Sequence, residues 1–210
     1  METEKKVAQA LLNIGAVGFN LENPITFKSG IVSPVYVDNR TFPFHPDAWR
    51  IIIESFADVI KKENIAVDVI AGVEAAGIPH SAGLGFFMKT PSVFVRKQAK
   101  EHGTKKMVEG GDVVGKKVLL IEDLVSTGIS SLTAVKNIRA AGAIVKDCLV
   151  IVSYGFEEAR DAFEKAEVKL HSLTSFPVIL EEAEKMGKLN TAEVSKIKEW
   201  FTDPHNWSNK

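Results

Sequence analysis

Cysteine is almost missing from this 210-residue chain: Cys148 stands alone, which excludes an internal disulfide framework. It sits in the apolar run "CLVIV", the setting of an inert core residue. Long apolar runs are missing as well. No stretch approaches the roughly 20 residues a membrane span needs, and the opening "METEKKVAQALL" lacks the apolar centre of a signal peptide. Neither sign of charge is in surplus. Lys and Arg number 26 against 27 Asp and Glu, a net charge of -1, so no global basic field argues for nucleic acid and any affinity for anions has to be local. Internal repeats and low-complexity segments are absent. The expectation is a cytoplasmic protein in a reducing compartment, engaging neither membrane nor nucleic acid.

What is present suits one sizeable core, with 45% hydrophobic and 25% charged residues. Periodicity predicts an amphipathic helix over 3–16, with Val7, Leu11 and Ile14 on one face. Residues 24–40 mix β-branched and aromatic residues with Ser-Gly and Ser-Pro, the pattern of two short strands and a turn. A helix starts at Pro46 and presents Trp49, Ile52, Ile53, Phe56, Val59 and Ile60 on one face. Strands at 67–73, 91–96, 117–123 and 144–153 then alternate with helices at 77–89 and 129–141, with a polar stretch at 97–115. Such alternation predicts an α/β fold, a parallel sheet with helices on both faces. The tail, 156–210, reads as charged and mainly helical, with candidate helices at 174–187 and 191–201. No linker sets it apart.

Chemistry concentrates in "VLLIEDLVSTGISS", residues 118–131. An apolar strand runs into two acids, Glu122 and Asp123, and then into Ser126, Thr127, Gly128 and Ser130. Ligands of open parallel sheets sit outside the carboxyl ends of the strands. A turn into a helix at that place leaves amides of about 126–130 pointing outward, which with the helix dipole suits a phosphate. The hydroxyls add donors, and Gly128 lets the backbone come close. Carboxylates beside a phosphate repel it unless a neutral, hydroxyl-bearing group lies between. A ribose 5-phosphate satisfies both ends. Each feature alone has a plainer reading, a helix cap or a pair of solvated acids; joined in one run, they favour the ligand site.

The thirteen residues "VLLIEDLVSTGIS" resemble the phosphoribosyl-diphosphate signature of type I phosphoribosyltransferases. That resemblance implies that Glu122 and Asp123 face ribose hydroxyls, and that Leu124, Val125, Ser126, Thr127, Gly128, Ile129 and Ser130 wrap the 5-phosphate. A second motif selects a branch. "RKQAKEHGTKKMVEGGD" could be solvated surface, with Lys105 and Lys106 no more than that, yet cations that close over a site would neutralise a departing diphosphate. Gly103, Gly110 and Gly111 give the stretch room to move.

The order "VRKxAKxHG" resembles the catalytic loop of the orotate phosphoribosyltransferase branch. "FKSGIVSPVYVDNR" and "IAGVEAAGIPHSAGLG" resemble its base-side and pyrophosphate-side segments, so the likeness spans about residues 5–200. It implies the type I fold as a single domain over 1–210, with a hood from roughly 1–45 plus the C-terminal helices and a core over roughly 46–170. The same likeness assigns Arg96, Lys97, Lys100 and His102 to the diphosphate, with Lys100 and His102 catalytic. It assigns Ser126, Lys28 and Tyr36 to orotate, Lys28 being equally suited to face solvent. Mg²⁺ is the implied cofactor, held by diphosphate and ribose oxygens rather than by protein side chains. A homodimer is implied, the 97–112 loop reaching the partner's site. Two departures stand out: Ala76 where some members carry lysine, and Tyr154 where many carry an arginine for the orotate carboxylate. Transfer to another base, or a non-catalytic regulatory role on the same fold, are the competing readings. The first is opposed by "RKQAKEHG", the second by the charge balance and the presence of Lys100 and His102.

Overall fold

The computed structural model describes residues 2–27, 29–96 and 106–207. The first helix, α1 (Glu2–Asn13), buries Val7 and Leu11 as expected but stops before Ile14, and β1 (Val17–Phe19) follows. Three short strands, rather than two, occupy 24–40: β2 (Ile25–Thr26), β3 (Val32–Ser33) and β4 (Val35–Val37). β2 pairs antiparallel with β3, and β4 turns back onto β1. Pro34 divides β3 from β4 because it has no amide to give either ladder. After a 3₁₀ turn at Asn39–Phe44, α2 (Pro46–Lys62) starts on its proline.

Alternation then proceeds through β5 (Val69–Val73), α3 (Gly77–Met88), β6 (Ser92–Val95), β7 (Val108–Glu109), β8 (Lys117–Val125), α4 (Ile129–Ala140) and β9 (Ile144–Ser153). The tail holds α5 (Glu157–Lys165), β10 (Lys169–Ser175), α6 (Phe176–Lys185) and α7 (Thr191–Thr202). Six strands form one sheet in the order β10-β9-β8-β5-β6-β7, parallel except for β7, which runs against β6. Two of these strands lie where none was expected. β7 is two residues long within the polar stretch. β10 is hidden in "KLHSLTS", whose His171 is buried by packing its Nε2 2.8 Å from the Asp147 carboxylate of β9.

The continuous apolar run of β8 is explained by burial on both faces. Val118 and Leu120 enter one core with α4 and Phe163 of α5; Leu119 and Ile121 enter the other with α1, α2 and α6. Cys148 is fully buried in the first core, and that burial pushes its thiol well above the usual range. Strand order reverses at β5, with β6 on one side and β8 on the other. The helices that follow β5 and β8, α3 and α4, serve opposite faces, so a crevice opens between the carboxyl ends of these two strands. The β2–β3 hairpin is tied to the C-terminal region by the buried Trp200 of α7, whose Nε1 donates to the Val32 carbonyl at 2.8 Å. Among the described residues no helix is long and apolar enough to cross a membrane.

Candidate active site

β8 does not end on its acids. Pairing with β9 continues through Glu122↔Val150, Leu124↔Val152 and Val125↔Ser153, so the carboxylates belong to the last turns of a paired strand. Leu124 and Val125 carry the pattern on because both still find apolar neighbours. Glu122 is only 4% exposed. Its carboxylate accepts from the Ser131 hydroxyl and from the Asp123 amide, each at 3.4 Å. Asp123 keeps a partly exposed edge. Burial of the rest raises its carboxyl above the ordinary value of 3.8, against hydrogen bonds with Glu122, two backbone amides and Asn39 that pull downward. Asn39, itself fully buried, donates Nδ2 to the Asp123 carbonyl at 2.9 Å.

Past the strand, the backbone turns at Gly128 with φ +80°, a left-handed conformation, and α4 begins at Ile129. No side chain caps this helix, so Ser126, Thr127 and Ser130 are not serving as its cap. The plainer reading of the hydroxyls is therefore not realised, and the first-turn amides keep their capacity for an anion. A Cβ at Gly128 would stand 2.9 Å from Phe163 Cε2. Gly128→Ala should thus cost about 1–2 kcal/mol from the left-handed backbone alone, and distort the phosphate turn as well. A lower melting temperature, with a several-fold higher KM for the diphosphate sugar, is the expected result. An unchanged KM would show that the turn does not hold the phosphate.

A cleft of about 360 Å³ lies over this turn. Its walls are Leu124 to Ser131, Phe27 and Ser29 from the β2–β3 hairpin, Val73 at the end of β5, and Arg96 just after β6. Seven of the expected phosphate-loop residues, Leu124 through Ser130, are thus gathered with Arg96 around one space. Arg96 is held in the wall by Glu109 of β7, with Nη1 3.3 Å from Oε1, and by its amide donating to the Met107 carbonyl. Glu122 and Asp123 precede the cleft in β8 and do not line it. Tyr36 does not line it either: its hydroxyl accepts from Arg40 Nη2 at 2.6 Å, and Arg40 in turn pairs with Asp38. That guanidinium holds the Asp38 carboxyl below its usual range. Lys28, Lys97, Lys100 and His102 lie outside the described residues.

The first wall strand leads into a tight junction. A Cβ at Gly77 would fall 2.5 Å from the Ile121 carbonyl, so only glycine lets the start of α3 lie against β8. Two contributors escaped the sequence reading. Ser131 lies one residue beyond the recognised pattern, yet its hydroxyl, rather than that of Ser130, meets Glu122. Asn39 sits 84 residues from the strand end it supports, in a polar turn that gave no periodic signal.

Comparison with known proteins agrees with this geometry. A phosphoribosyl transferase domain model matches residues 44–178. The orotate phosphoribosyltransferase of Coxiella burnetii is 38% identical over 207 residues, covering 99% of both chains. That of Listeria innocua is 41% identical over 207 residues, again covering 99% of both. The crystal structure of orotate phosphoribosyltransferase from Aeropyrum pernix superposes with a TM-score of 0.75 at 29% identity, over 88% of this chain and 99% of that one. With 38–41% identity over nearly the whole length of these relatives, and a phosphoribosyl transferase domain spanning most of its core, the chain belongs to the orotate phosphoribosyltransferase family.

Proposed function

We propose that the cleft binds 5-phosphoribosyl 1-diphosphate and that the chain transfers its phosphoribosyl group to orotate, giving orotidine 5-phosphate and diphosphate in pyrimidine biosynthesis. The observation that carries the phosphoribosyl part is the uncapped α4 start, reached from the Glu122–Asp123 pair through the end of β8 and the turn at Gly128. Near-full-length likeness to orotate enzymes carries the choice of base.

The 5-phosphate lies in the turn 126–130, accepting from amides at the positive end of α4. The ribose hydroxyls donate toward the acids of β8, with Asp123, the more accessible of the two, as the main partner. Arg96 faces the same space, and Lys97, Lys100 and His102 follow it in sequence to meet the diphosphate. The bond from C1 to diphosphate breaks first, and positive charge grows on the ribose while negative charge grows on the leaving group. Closure of the cationic loop neutralises that leaving charge and excludes water, which limits wasteful hydrolysis. Orotate is already an anion, so its ring nitrogen attacks without a strong base. Hard carboxylate oxygens beside the ribose suit Mg²⁺ shared through substrate oxygens and water, and the ion, when bound, offsets charge on the diphosphate.

The reading extends to a cytoplasmic homodimer in which the 97–112 loop serves the partner's site. The exposed rings of Phe44, Phe86 and Phe87 offer apolar surface of the kind subunit contacts cover. The test is orotate consumption with the diphosphate sugar and Mg²⁺, run beside uracil and hypoxanthine. Turnover restricted to orotate is expected; turnover of another base with none for orotate would overturn the choice of base.

A further inference from the structure

His80 stands in the first turn of α3 and is fully buried. Its ring is held from two other elements. From α2, Trp49 donates its indole Nε1 to the His80 Nδ1 at 3.1 Å. From the 3₁₀ turn, Phe42 meets the imidazole edge-on, with ring centroids 6.3 Å apart. An indole N–H can only donate, so Nδ1 is an acceptor. Burial lowers the imidazole from 6.5 to about 4, which keeps it neutral near neutral pH. A neutral ring whose Nδ1 accepts carries its proton on Nε2.

Nε2 is thus a fixed, buried donor, and the described residues give it no hydrogen bond of full geometry. What acts on the ring as an acceptor is the backbone of Asn39, which draws the imidazole partway back toward its ordinary value. With Nδ1 taken by Trp49, that contact falls to Nε2. Asn39 shares the 3₁₀ turn with Phe42, and its Nδ2 donates to the Asp123 carbonyl at 2.9 Å. A line of contacts therefore runs from Trp49 through His80 and Asn39 to the acid assigned to the ribose hydroxyls. The first three of these residues do not line the cleft.

We propose that His80 is a positioning residue: its Nε2–H steadies the Asn39 backbone, and through Asn39 it fixes where Asp123 presents its carboxylate to the ribose. This role rests on the ribose reading of Asp123 above. Histidine suits it because one rigid ring offers an acceptor to α2 and a donor to the turn. A phenylalanine of similar size offers neither.

The two ring nitrogens separate by substitution. In His80→Gln the terminal amide reaches the place of Nε2 and can still donate to Asn39, while Trp49 loses its acceptor. In His80→Asn the shorter side chain keeps an acceptor for Trp49 and loses the donor to Asn39. Expected for His80→Asn is a KM for the diphosphate sugar raised about 3- to 10-fold, as for loss of one neutral hydrogen bond, with the KM for orotate unchanged. His80→Gln should melt lower than His80→Asn yet bind the diphosphate sugar like the wild type. An unchanged KM in His80→Asn, or KM values that simply follow the melting temperatures of the two variants, overturns the role. Asp123→Asn serves as the control: if it leaves the KM for the diphosphate sugar unchanged, the ribose reading falls and this role with it. If Asp123→Asn raises that KM and His80→Asn does not, the positioning role alone falls. Imidazole ¹⁵N spectra of the wild-type chain give a readout that needs no variant to fold. They should show the proton on Nε2 of His80 and a shift of that signal when ribose 5-phosphate binds; a proton on Nδ1, or a signal that ribose 5-phosphate leaves in place, overturns the role.

Discussion

Lys100→Ala is expected to lower turnover about 10²- to 10³-fold, an effect of ~3–4 kcal/mol like that of removing a charge-stabilising donor from a transition state. The reason lies in where charge develops. On the proposed mechanism diphosphate departs before the base bonds, so its oxygens gain charge that an added cation would offset. Arg96 lines the cleft with its Nη1 3.3 Å from Glu109, and the proposed mechanism adds Lys100 to it as a cation for the leaving group. A residue acting on the leaving group should leave the fold untouched, so the variant should melt like the wild type. Near-normal turnover in a folded Lys100→Ala protein would remove Lys100 from the mechanism.

Asp123→Asn should act in two opposite directions. Loss of a charged acceptor for the ribose hydroxyls should raise the KM for the diphosphate sugar about 10- to 100-fold, on the scale of ~1.5–3 kcal/mol for such a bond. The ligand-free protein should nevertheless become more stable. Burial raises the Asp123 carboxyl above 3.8 in the folded chain, so between that pH and the raised value the folded state holds a proton that the unfolded chain has released. Stability contributed by this group therefore falls as pH rises through the window and stays lower above it. Asparagine carries no such charge, so the variant's stability should change less across that window. At neutral pH the ligand-free variant should therefore melt higher than the wild type. A variant with unchanged KM, or one that melts lower, would contradict the role given to Asp123.

Legibility in the sequence followed the strength of the local pattern. Pro46 marked the start of α2, and the alternation from Val69 to Ser153 gave the parallel sheet, because strands covered on both faces are apolar without a break. β10 was illegible for the converse reason. At the sheet edge its His171 is paired with Asp147, so a polar residue holds a buried place that periodicity reserves for an apolar one. The end of β8 was misplaced by two residues, since the acid pair looked like a boundary while the ladder with β9 continued past it. The phosphate turn was readable because its chemistry is contiguous. Asn39 and Ser131 were not, because each acquires its meaning from a partner that only the fold supplies.

The central claim is that the acids and the anion cradle grip opposite parts of one molecule. A crystal structure of the chain with 5-phosphoribosyl 1-diphosphate tests it most directly. The account predicts the 5-phosphate oxygens within hydrogen-bond distance of the amides between Ser126 and Ser131, and the ribose hydroxyls on Asp123. A 5-phosphate bound away from that turn, or a ribose whose hydroxyls face neither carboxylate, would contradict it.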